Sequence, residues 1–446
     1  MKRIMFSLVG CLLAVLLMVP VPFARCEARS IRSAEDAELW VSAFFSEHPE
    51  VLADEWLATE PMAQAVAASG GWQGLAASLA GLGQLQQRSP AYAGKLQGYT
   101  AYYIPCMFTE AAMDLILITD QGAVAGLSTG AYTGDRASAL EAYEQLPLSL
   151  PAPALDGALP GTLTLPKGAG PFPAVVLVHG SGPNDRDETL MAQKPFRDLA
   201  EGLAEQGIAV YRYDKRTLVY GEDLAKDEAL TLVEETIEDA AAAVQLLAQQ
   251  ERIDPNRIFV LGHSLGGSAI PAIDRALREQ PIPAAGYILM AASPRRLDEL
   301  MREQVEFLYS LVSEPTPEQL AQRDQTYAQL ELLREPDDLR EGESVLGAYK
   351  AYWQWLADYD ILAAAQEITA PCLVIQGEED YQVTMKDFRL WEEKLSGRVN
   401  WRLISYPGLT HTFAPGEKNQ GPAAYARPET VDARVVRDIA EFIWAQ

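Results

Sequence analysis

The sequence predicts an α/β fold in which a doubly wound, mostly parallel sheet carries a helical cap and follows a small α+β domain. Two patterns support this prediction. Beyond residue 161, short apolar runs rich in β-branched residues alternate with helical patterns, which is typical of a parallel sheet with helices on both faces. Before residue 146, helical patterns come first and an antiparallel hairpin follows, as in α+β domains.

The first 28 residues have the pattern of a secretory signal peptide. Lys2 and Arg3 precede an apolar run over residues 4–19, and Cys26 and Ala28 supply the small side chains that suit cleavage after Ala28. The apolar run also approaches the length that spans a bilayer, so an uncleaved anchor is the alternative. We therefore expect a secreted or extracytoplasmic protein, in which any membrane anchoring is through this segment alone.

Residues 30–146 predict the small α+β domain. Apolar residues at helical spacing cover residues 37–45, and further helix is expected between residues 61 and 85. Three strand-like runs follow, and the last two flank the turn sequence Asp120-Gln121-Gly122. The prolines of residues 147–160 then predict an extended linker.

Residues 161–446 predict the larger domain. Its continuous apolar runs indicate strands, most of them buried on both faces, at residues 162–165, 174–178, 208–213, 257–261, 286–291, 372–376 and 401–405. Between residues 294 and 367, helical patterns occur without strand-like runs, and 16 acidic against 7 basic residues give this segment a net charge of −9. We expect it to form a helical cap over the strand ends.

The composition excludes several classes of function. The chain has 446 residues, and 62 Asp and Glu against 36 Lys and Arg give a formal net charge of −26. A chain this acidic should repel phosphate backbones, so we expect no nucleic-acid partner. Its four cysteines are too few for a disulfide framework or a cysteine zinc site.

The sequence Gly262-His263-Ser264-Leu265-Gly266-Gly267 lies between a predicted strand and a predicted helix. In that context G-x-S-x-G indicates a nucleophile elbow, a tight turn that exposes the serine hydroxyl above the sheet. The glycines are needed because side chains there would collide with neighbouring backbone. Ser264 is therefore the candidate nucleophile, and the alternative is a glycine-rich turn with an incidental serine.

A serine nucleophile needs a base and an acid that orients the base. Only one histidine, His411, follows Ser264, and it lies in a loop between the last strand and the last helix. The acid should follow the preceding strand, where Glu378, Glu379 and Asp380 compete. The spacing G-x-x-D-x-x-V favours Asp380 as the acid that holds His411.

Two backbone N–H groups are expected to stabilise the oxyanion. One belongs to Leu265, directly after the nucleophile. The other should come from the loop His179-Gly180-Ser181-Gly182 after an earlier strand, and the N–H of Ser181 is preferred to that of Gly182. We expect His179 and His263 to have structural roles.

These residues resemble the α/β-hydrolase superfamily, and within it a group of bacterial serine carboxylesterases. The motifs that carry the resemblance occur in the same order: HGSGPNDRDE at 179–188, KPFRDLA at 194–200, RYDKRT at 212–217, GHSLGG at 262–267 and QGEEDYQVT at 376–384. The resemblance implies hydrolysis of short-chain acyl esters by Ser264, Asp380 and His411. It also implies that residues 35–145 form a cystatin-like α+β domain of unknown function.

The expected activity is hydrolysis of a small-molecule ester through an acyl-enzyme, without a metal or cofactor. A thioesterase or acyltransferase would use the same triad, but acyl-CoA is anionic and cytosolic, which the cap charge and the signal disfavour. A serine peptidase of the same fold would need a site for a peptide terminus. A further alternative is a non-enzymatic binding role for residues 35–145. The sequence does not specify the oligomeric state.

Overall fold

The structure is a computed structural model that describes residues 29–46, 48–96, 99–132 and 142–446. The predicted signal peptide lies outside these residues. The chain divides into two compact units between residues 141 and 142. In the described ranges, none of the helices combines the length and the apolar character that crossing a membrane requires.

The smaller unit combines helices with an antiparallel sheet, as predicted. Its helices are α1 (Ala34–Phe44), α2 (Leu52–Glu55), α3 (Glu60–Ala68) and α4 (Gly71–Ser78). Its strands are β1 (Leu85–Arg88), β2 (Tyr92–Leu96), β3 (Tyr99–Phe108), β4 (Ala112–Asp120) and β5 (Ala123–Ala131). Both β1 and β2 pair with β3, and β4 lies between β3 and β5. Trp40, Phe44 and Trp72 form an aromatic cluster in its core.

The larger unit is built on an eight-stranded sheet. Its strands are β6 (Tyr143–Pro147), β9 (Gly161–Pro166), β10 (Phe172–Val178), β11 (Ala209–Tyr213), β12 (Ile253–His263), β13 (Gly286–Met290), β14 (Cys372–Gly377) and β15 (Trp401–Tyr406). The order is β15-β14-β13-β12-β10-β11-β9-β6, in which β15 to β11 are parallel and β9 and β6 are antiparallel. This arrangement confirms the predicted fold class.

The predicted linker at 147–160 is wrong in part. Tyr143–Pro147 is the edge strand of the large sheet, and the larger unit begins at Ala142 rather than after residue 146. Leu150–Ala152 (β7) and Gly157–Leu159 (β8) then form a short antiparallel hairpin. Leu150 and Leu159 are fully buried in the core of the larger unit. This burial gives the proline-rich segment a packed structure.

Helices cover both faces of the large sheet. They are α5 (Pro195–Glu205), α6 (Arg216–Val219), α7 (Gly221–Leu224), α8 (Glu238–Leu247), α9 (Leu265–Arg278), α10 (Leu297–Ser310), α11 (Pro317–Leu332), α12 (Lys350–Asp358), α13 (Ile361–Gln366), α14 (Met385–Leu395) and α15 (Ala433–Trp444). Alternate residues of β10 pack into different cores, Val175 with α5 and α15 and Val176 with α8 and α9. The sheet is therefore buried on both faces.

The segment from 294 to 367 contains helices α10 to α13 and lies in the chain between β13 and β14. Every strand that the structure describes in the larger unit lies outside this segment. Ahead of α8, the chain makes one π-helical turn over Val233–Ile237. This turn continues directly into α8.

Candidate active site

Ser264 lies on a tight turn between β12 and α9. Its φ of +53° is in the left-handed region, which a serine adopts only when its surroundings impose it. A Cβ on Gly266 would lie 2.4 Å from the Val178 carbonyl oxygen, and one on Gly262 would lie 2.2 Å from the Gly266 carbonyl oxygen. Backbone therefore packs on both sides of Ser264, as the elbow motif predicts.

The structure brings Asp380 and His411 into contact. The Nδ1 atom of His411 lies 2.6 Å from Oδ2 of Asp380, and both side chains are buried. Asp380 follows β14, His411 follows β15 and Ser264 follows β12, so all three lie at the carboxyl edge of the parallel sheet. Within the described residues, no hydrogen bond joins Ser264 to His411. Such bonds are often long in ligand-free enzymes.

Asp380 differs from the two carboxylates beside it. Its Oδ1 accepts hydrogen bonds from the backbone N–H groups of Gln382 (2.7 Å) and Val383 (3.0 Å). Glu378, by contrast, is exposed, and the hydroxyl of Ser405 donates to it. Glu379 accepts from the backbone N–H of Lys418. Of the three competing acids, only Asp380 contacts His411.

The candidate oxyanion donors are free to bind a ligand. Among the described residues, neither the N–H of Leu265 nor that of Ser181 has an acceptor. The loop around Ser181 is held from both sides, because Gly180 N–H donates to Glu188 at 2.7 Å and the Asn184 amide donates to the Ser181 carbonyl at 3.1 Å. A Cβ on Gly180 would approach the Cβ of Ser264 to 3.1 Å, so this loop lies against the elbow.

The two other histidines near the site support its loops. Nε2 of His263 contacts the His411 carbonyl oxygen at 3.0 Å, and its Nδ1 lies 2.8 Å from a Glu188 carboxylate oxygen. Burial opposes a charge on His263, but Glu188, aided by that carbonyl, raises the pKa of the ring above its ordinary value. His179 contacts the Asp185 carbonyl oxygen through Nε2 at 3.0 Å. Both rings have the structural contacts that the sequence analysis expects.

The charged segments 183–188 and 213–217 form ion pairs beside the site. Arg186 pairs with Asp214 at 2.7 Å. Lys215 pairs with Glu235 and Arg216 with Asp239, each at 2.6 Å and almost completely buried. These two segments are therefore joined by ion pairs to each other and to the helix that carries Glu235 and Asp239. Glu235 and Asp239 could not be identified as partners from the sequence, since neither belongs to a motif.

Ser264 opens into a cavity of about 540 Å³. Its walls include the candidate oxyanion residues Ser181 and Leu265 and, from helix α12 of the cap, Tyr352, Trp353 and Leu356. Tyr352 and Trp353 also belong to the hydrophobic core of the larger unit. Trp355 instead packs against the ring of Tyr359, with centroids 4.8 Å apart. The cap thus forms one wall of the candidate site.

Glu235, Arg295 and Arg296, which line this cavity, each have a partner of opposite charge. Glu235 pairs with Lys215. Arg295 donates to Asp387 at 2.8 Å and 3.0 Å, and Arg296 donates to Asp298 at 2.9 Å. Asp227, at the exposed mouth, accepts from the backbone N–H of Ala229. No group of three His, Cys, Asp or Glu side chains in the described ranges is arranged to hold a metal ion.

Comparison with known proteins identifies one family and one curated relative that the chain resembles. Residues 171–419 match the family described as serine aminopeptidase, S33. Over 285 residues the chain is 42% identical to Esterase EstD of Thermotoga maritima, a match that takes in 64% of this chain and 65% of that protein. The chain therefore spans about 65% of the length of this curated relative. The family match extends across Ser264, Asp380 and His411.

Solved structures that match part of the chain include Est1E from Butyrivibrio proteoclasticus and the Pyrococcus furiosus esterase Pf2001. Est1E is 16% identical, with a TM-score of 0.43, and the match covers 67% of this chain and 99% of that one. Pf2001 is 15% identical, with a TM-score of 0.42, and the match covers 70% of this chain and 93% of that one.

Proposed function

The chain belongs to the serine aminopeptidase S33 family, and within that family we propose that it is a serine hydrolase that cleaves carboxylic esters, with short-chain acyl esters as its substrates. The observation that carries this proposal is the buried contact between Asp380 and His411, combined with Ser264 at the base of the cavity. Its curated relative is named Esterase EstD, which supports ester cleavage over other reactions of the fold. The resemblance to the α/β-hydrolase superfamily is confirmed by the family match.

In this proposal His411 acts as the general base. Its Nδ1–H donates to Asp380, so Nε2 is left to take the proton from Ser264 as the hydroxyl oxygen attacks the ester carbonyl. The N–H groups of Leu265 and Ser181 stabilise the oxyanion. His411 then protonates the leaving alcohol, and water hydrolyses the acyl-Ser264 intermediate with the same base. The chemistry needs only side chains and backbone of this chain.

The pairing of Glu235, Arg295 and Arg296 with opposite charges favours an uncharged substrate. An aminopeptidase must bind the ammonium group at the peptide's N-terminus, for which a free carboxylate is the natural partner. Glu235 is the buried carboxylate of the cavity, and both of its oxygens already accept hydrogen bonds, from Lys215 and Tyr352. Acyl-CoA is highly anionic, and the cap segment carries a net −9. Neutral esters avoid both problems.

The test is to assay residues 29–446 with p-nitrophenyl acetate, butyrate and octanoate beside aminoacyl p-nitroanilides and acetyl-CoA. We expect ester cleavage that prefers the shorter chains, with Ser264→Ala reduced to background. If the anilides are cleaved faster than any ester, the protein is a peptidase and the esterase assignment is wrong. Full activity in Ser264→Ala would overturn the assignment of the nucleophile.

Two further proposals concern the N-terminal part of the chain. We propose that residues 1–28 direct export and that the mature protein begins at Arg29. Mass spectrometry of protein from a secreting host should then give the mass of residues 29–446, whereas the full mass in the membrane fraction would indicate an anchor. The cystatin-like assignment of residues 35–145 stays a prediction.

A further inference from the structure

A chain of buried polar contacts joins the cap to the loop that carries Ser181. The hydroxyl of Tyr352 in α12 donates to one Glu235 oxygen at 2.6 Å. The Lys215 ammonium donates to the other Glu235 oxygen at 2.6 Å and to the Gly180 carbonyl oxygen at 2.8 Å. The three side chains are at most 8% exposed. Direct hydrogen bonds through Glu235 and Lys215 therefore connect the cap with this loop.

The last contact of this chain acts on a candidate oxyanion donor. The Gly180 carbonyl and the Ser181 N–H belong to one peptide group, which is planar and trans, so the C=O and N–H bonds point in opposite directions. The Lys215 ammonium, together with the Asn184 amide that donates to the same carbonyl oxygen at 3.2 Å, therefore fixes the direction of the Ser181 N–H. The charge-assisted bond also polarises the peptide group and makes that N–H a stronger donor.

Holding a loop with a buried ion pair is energetically unfavourable compared with apolar packing. Burying a lysine and a glutamate costs free energy that their attraction often does not recover, and an apolar pair of similar size is frequently as stable. Glu235 also lies in the π-helical turn Val233–Ile237, a kind of irregularity that is common at functional sites. Burial and the Glu235 carboxylate raise the pKa of Tyr352 well above its ordinary value, so its hydroxyl stays protonated as a donor.

We propose that Tyr352 and Glu235 are positioning residues that act through Lys215 on the Gly180–Ser181 peptide group, so that the docking of cap helix α12 sets the orientation of an oxyanion donor. This inference rests on the proposed esterase function. It assigns the cap a part in transition-state stabilisation, in addition to its part in enclosing the substrate.

The experiment compares Tyr352→Phe, Glu235→Gln and Lys215→Met with wild type on p-nitrophenyl butyrate, measuring kcat and KM separately. Losing one oxyanion donor typically lowers kcat about 10²–10³-fold. We expect a loss of this size in Lys215→Met and about a tenfold loss in the other two, with KM nearly unchanged. Inhibition by butylboronic acid, which forms a tetrahedral adduct with the serine, should weaken by the same factor as kcat/KM.

Two matched controls separate positioning from stability. Asp239→Asn breaks the neighbouring buried ion pair with Arg216, which does not reach the Ser181 loop, and should lower the melting temperature while leaving kcat within about twofold. Tyr309→Phe removes a 2.7 Å hydrogen bond between the cap hydroxyl and the Gln319 carbonyl, away from the cavity, and should leave kcat unchanged.

Two results would decide against the proposal. If Tyr352→Phe and Glu235→Gln keep wild-type kcat, or raise KM alone, the contacts serve packing or substrate binding only. If boronate affinity does not fall with kcat/KM, the lost stabilisation is not at the oxyanion. Should Lys215→Met fail to fold, the other two variants still decide. If the wild type itself does not cleave esters, the proposed function is wrong. If the wild type is active and the variants match it, only the positioning role of Tyr352 and Glu235 is wrong.

Discussion

Nδ1 of His411 lies 2.6 Å from Oδ2 of Asp380, in a place where neither side chain is more than 5% exposed. The other oxygen of Asp380 is held by two backbone N–H groups, and the Gln376 amide also donates to Oδ2 at 3.1 Å. A carboxylate held this way cannot turn toward another partner. In the neutral ring, this contact favours the tautomer that carries the proton on Nδ1 and the lone pair on Nε2.

Replacing this carboxylate should therefore disable the base while leaving the fold intact. We expect Asp380→Asn to lower kcat for p-nitrophenyl butyrate by about 10⁴-fold, because the amide favours the wrong histidine tautomer. Glu378→Gln and Glu379→Gln are the matched controls, since these acids contact Ser405 and Lys418 instead. A large loss in either control, with Asp380→Asn active, would move the acid to a neighbouring position.

The elbow should not tolerate a methyl group at Gly266. A Cβ added at this position would lie 2.4 Å and 2.5 Å from the carbonyl oxygens of Val178 and His179. These are backbone atoms, which cannot move away as a flexible side chain could. We expect Gly266→Ala to lower the free energy of unfolding by about 3 kcal/mol or more in urea denaturation. Gly397→Ala is the control, because no atom lies within 4 Å of the added Cβ. Equal stability of the two variants would contradict close packing at the elbow.

Acid should destabilise the protein through His179. Burial lowers the pKa of His179 to about 4, well below the value of about 6.5 expected in the unfolded chain. The unfolded state therefore takes up a proton that the folded state refuses between these two values. Stability contributed by the neutral ring is complete above about pH 6.5 and is lost as the pH falls toward 4, by about 3 kcal/mol.

The measurement is urea denaturation at pH 7.5, 6 and 5 for wild type and for His179→Asn. The variant should lose less stability than wild type over this range, whatever its stability at pH 7.5. Because His263 is present in both proteins, its own titration cancels in the comparison. Parallel pH profiles would show that His179 is not the group responsible.

The cysteines of the described ranges should not react with thiol reagents in the native protein. Cys106 and Cys372 are fully buried, and burial raises the pKa of Cys106 to about 12, so almost no reactive thiolate forms at pH 8. We expect residues 29–446 to take up no iodoacetamide when native and two equivalents in urea. Val399→Cys, at a fully exposed position, should label rapidly and serves as the positive control. Rapid labelling of the native wild-type protein would contradict the burial of Cys106 and Cys372.

The parts of the fold that the sequence predicts are those with strong local patterns. Buried parallel strands such as Ala174–Val178 are continuous apolar runs, and the residues around Ser264 combine strand, turn and helix signals within a few positions. The contact of Asp380 with His411 is consistent with a spacing argument, because both follow strands of known order.

Two kinds of feature could not be predicted. Proline at 147 suggests a linker, but an edge strand tolerates proline because one side of its backbone needs no partner. The buried contacts of Glu235 join residues 20 and 117 positions away, Lys215 and Tyr352, and no local pattern encodes such distances. Long-range polar contacts of this kind depend on the completed packing of the chain.

The attachment of the cap has an evolutionary consequence. The cap leaves the sheet after β13 and returns before β14, and these are adjacent parallel strands. Its two ends are therefore anchored on neighbouring strands, so insertions and deletions between them can change its length and shape without altering the strand order. Descendants of this chain can acquire new substrates by exchanging this one segment. Any exchange that discards Tyr352, however, must find another way to hold Glu235.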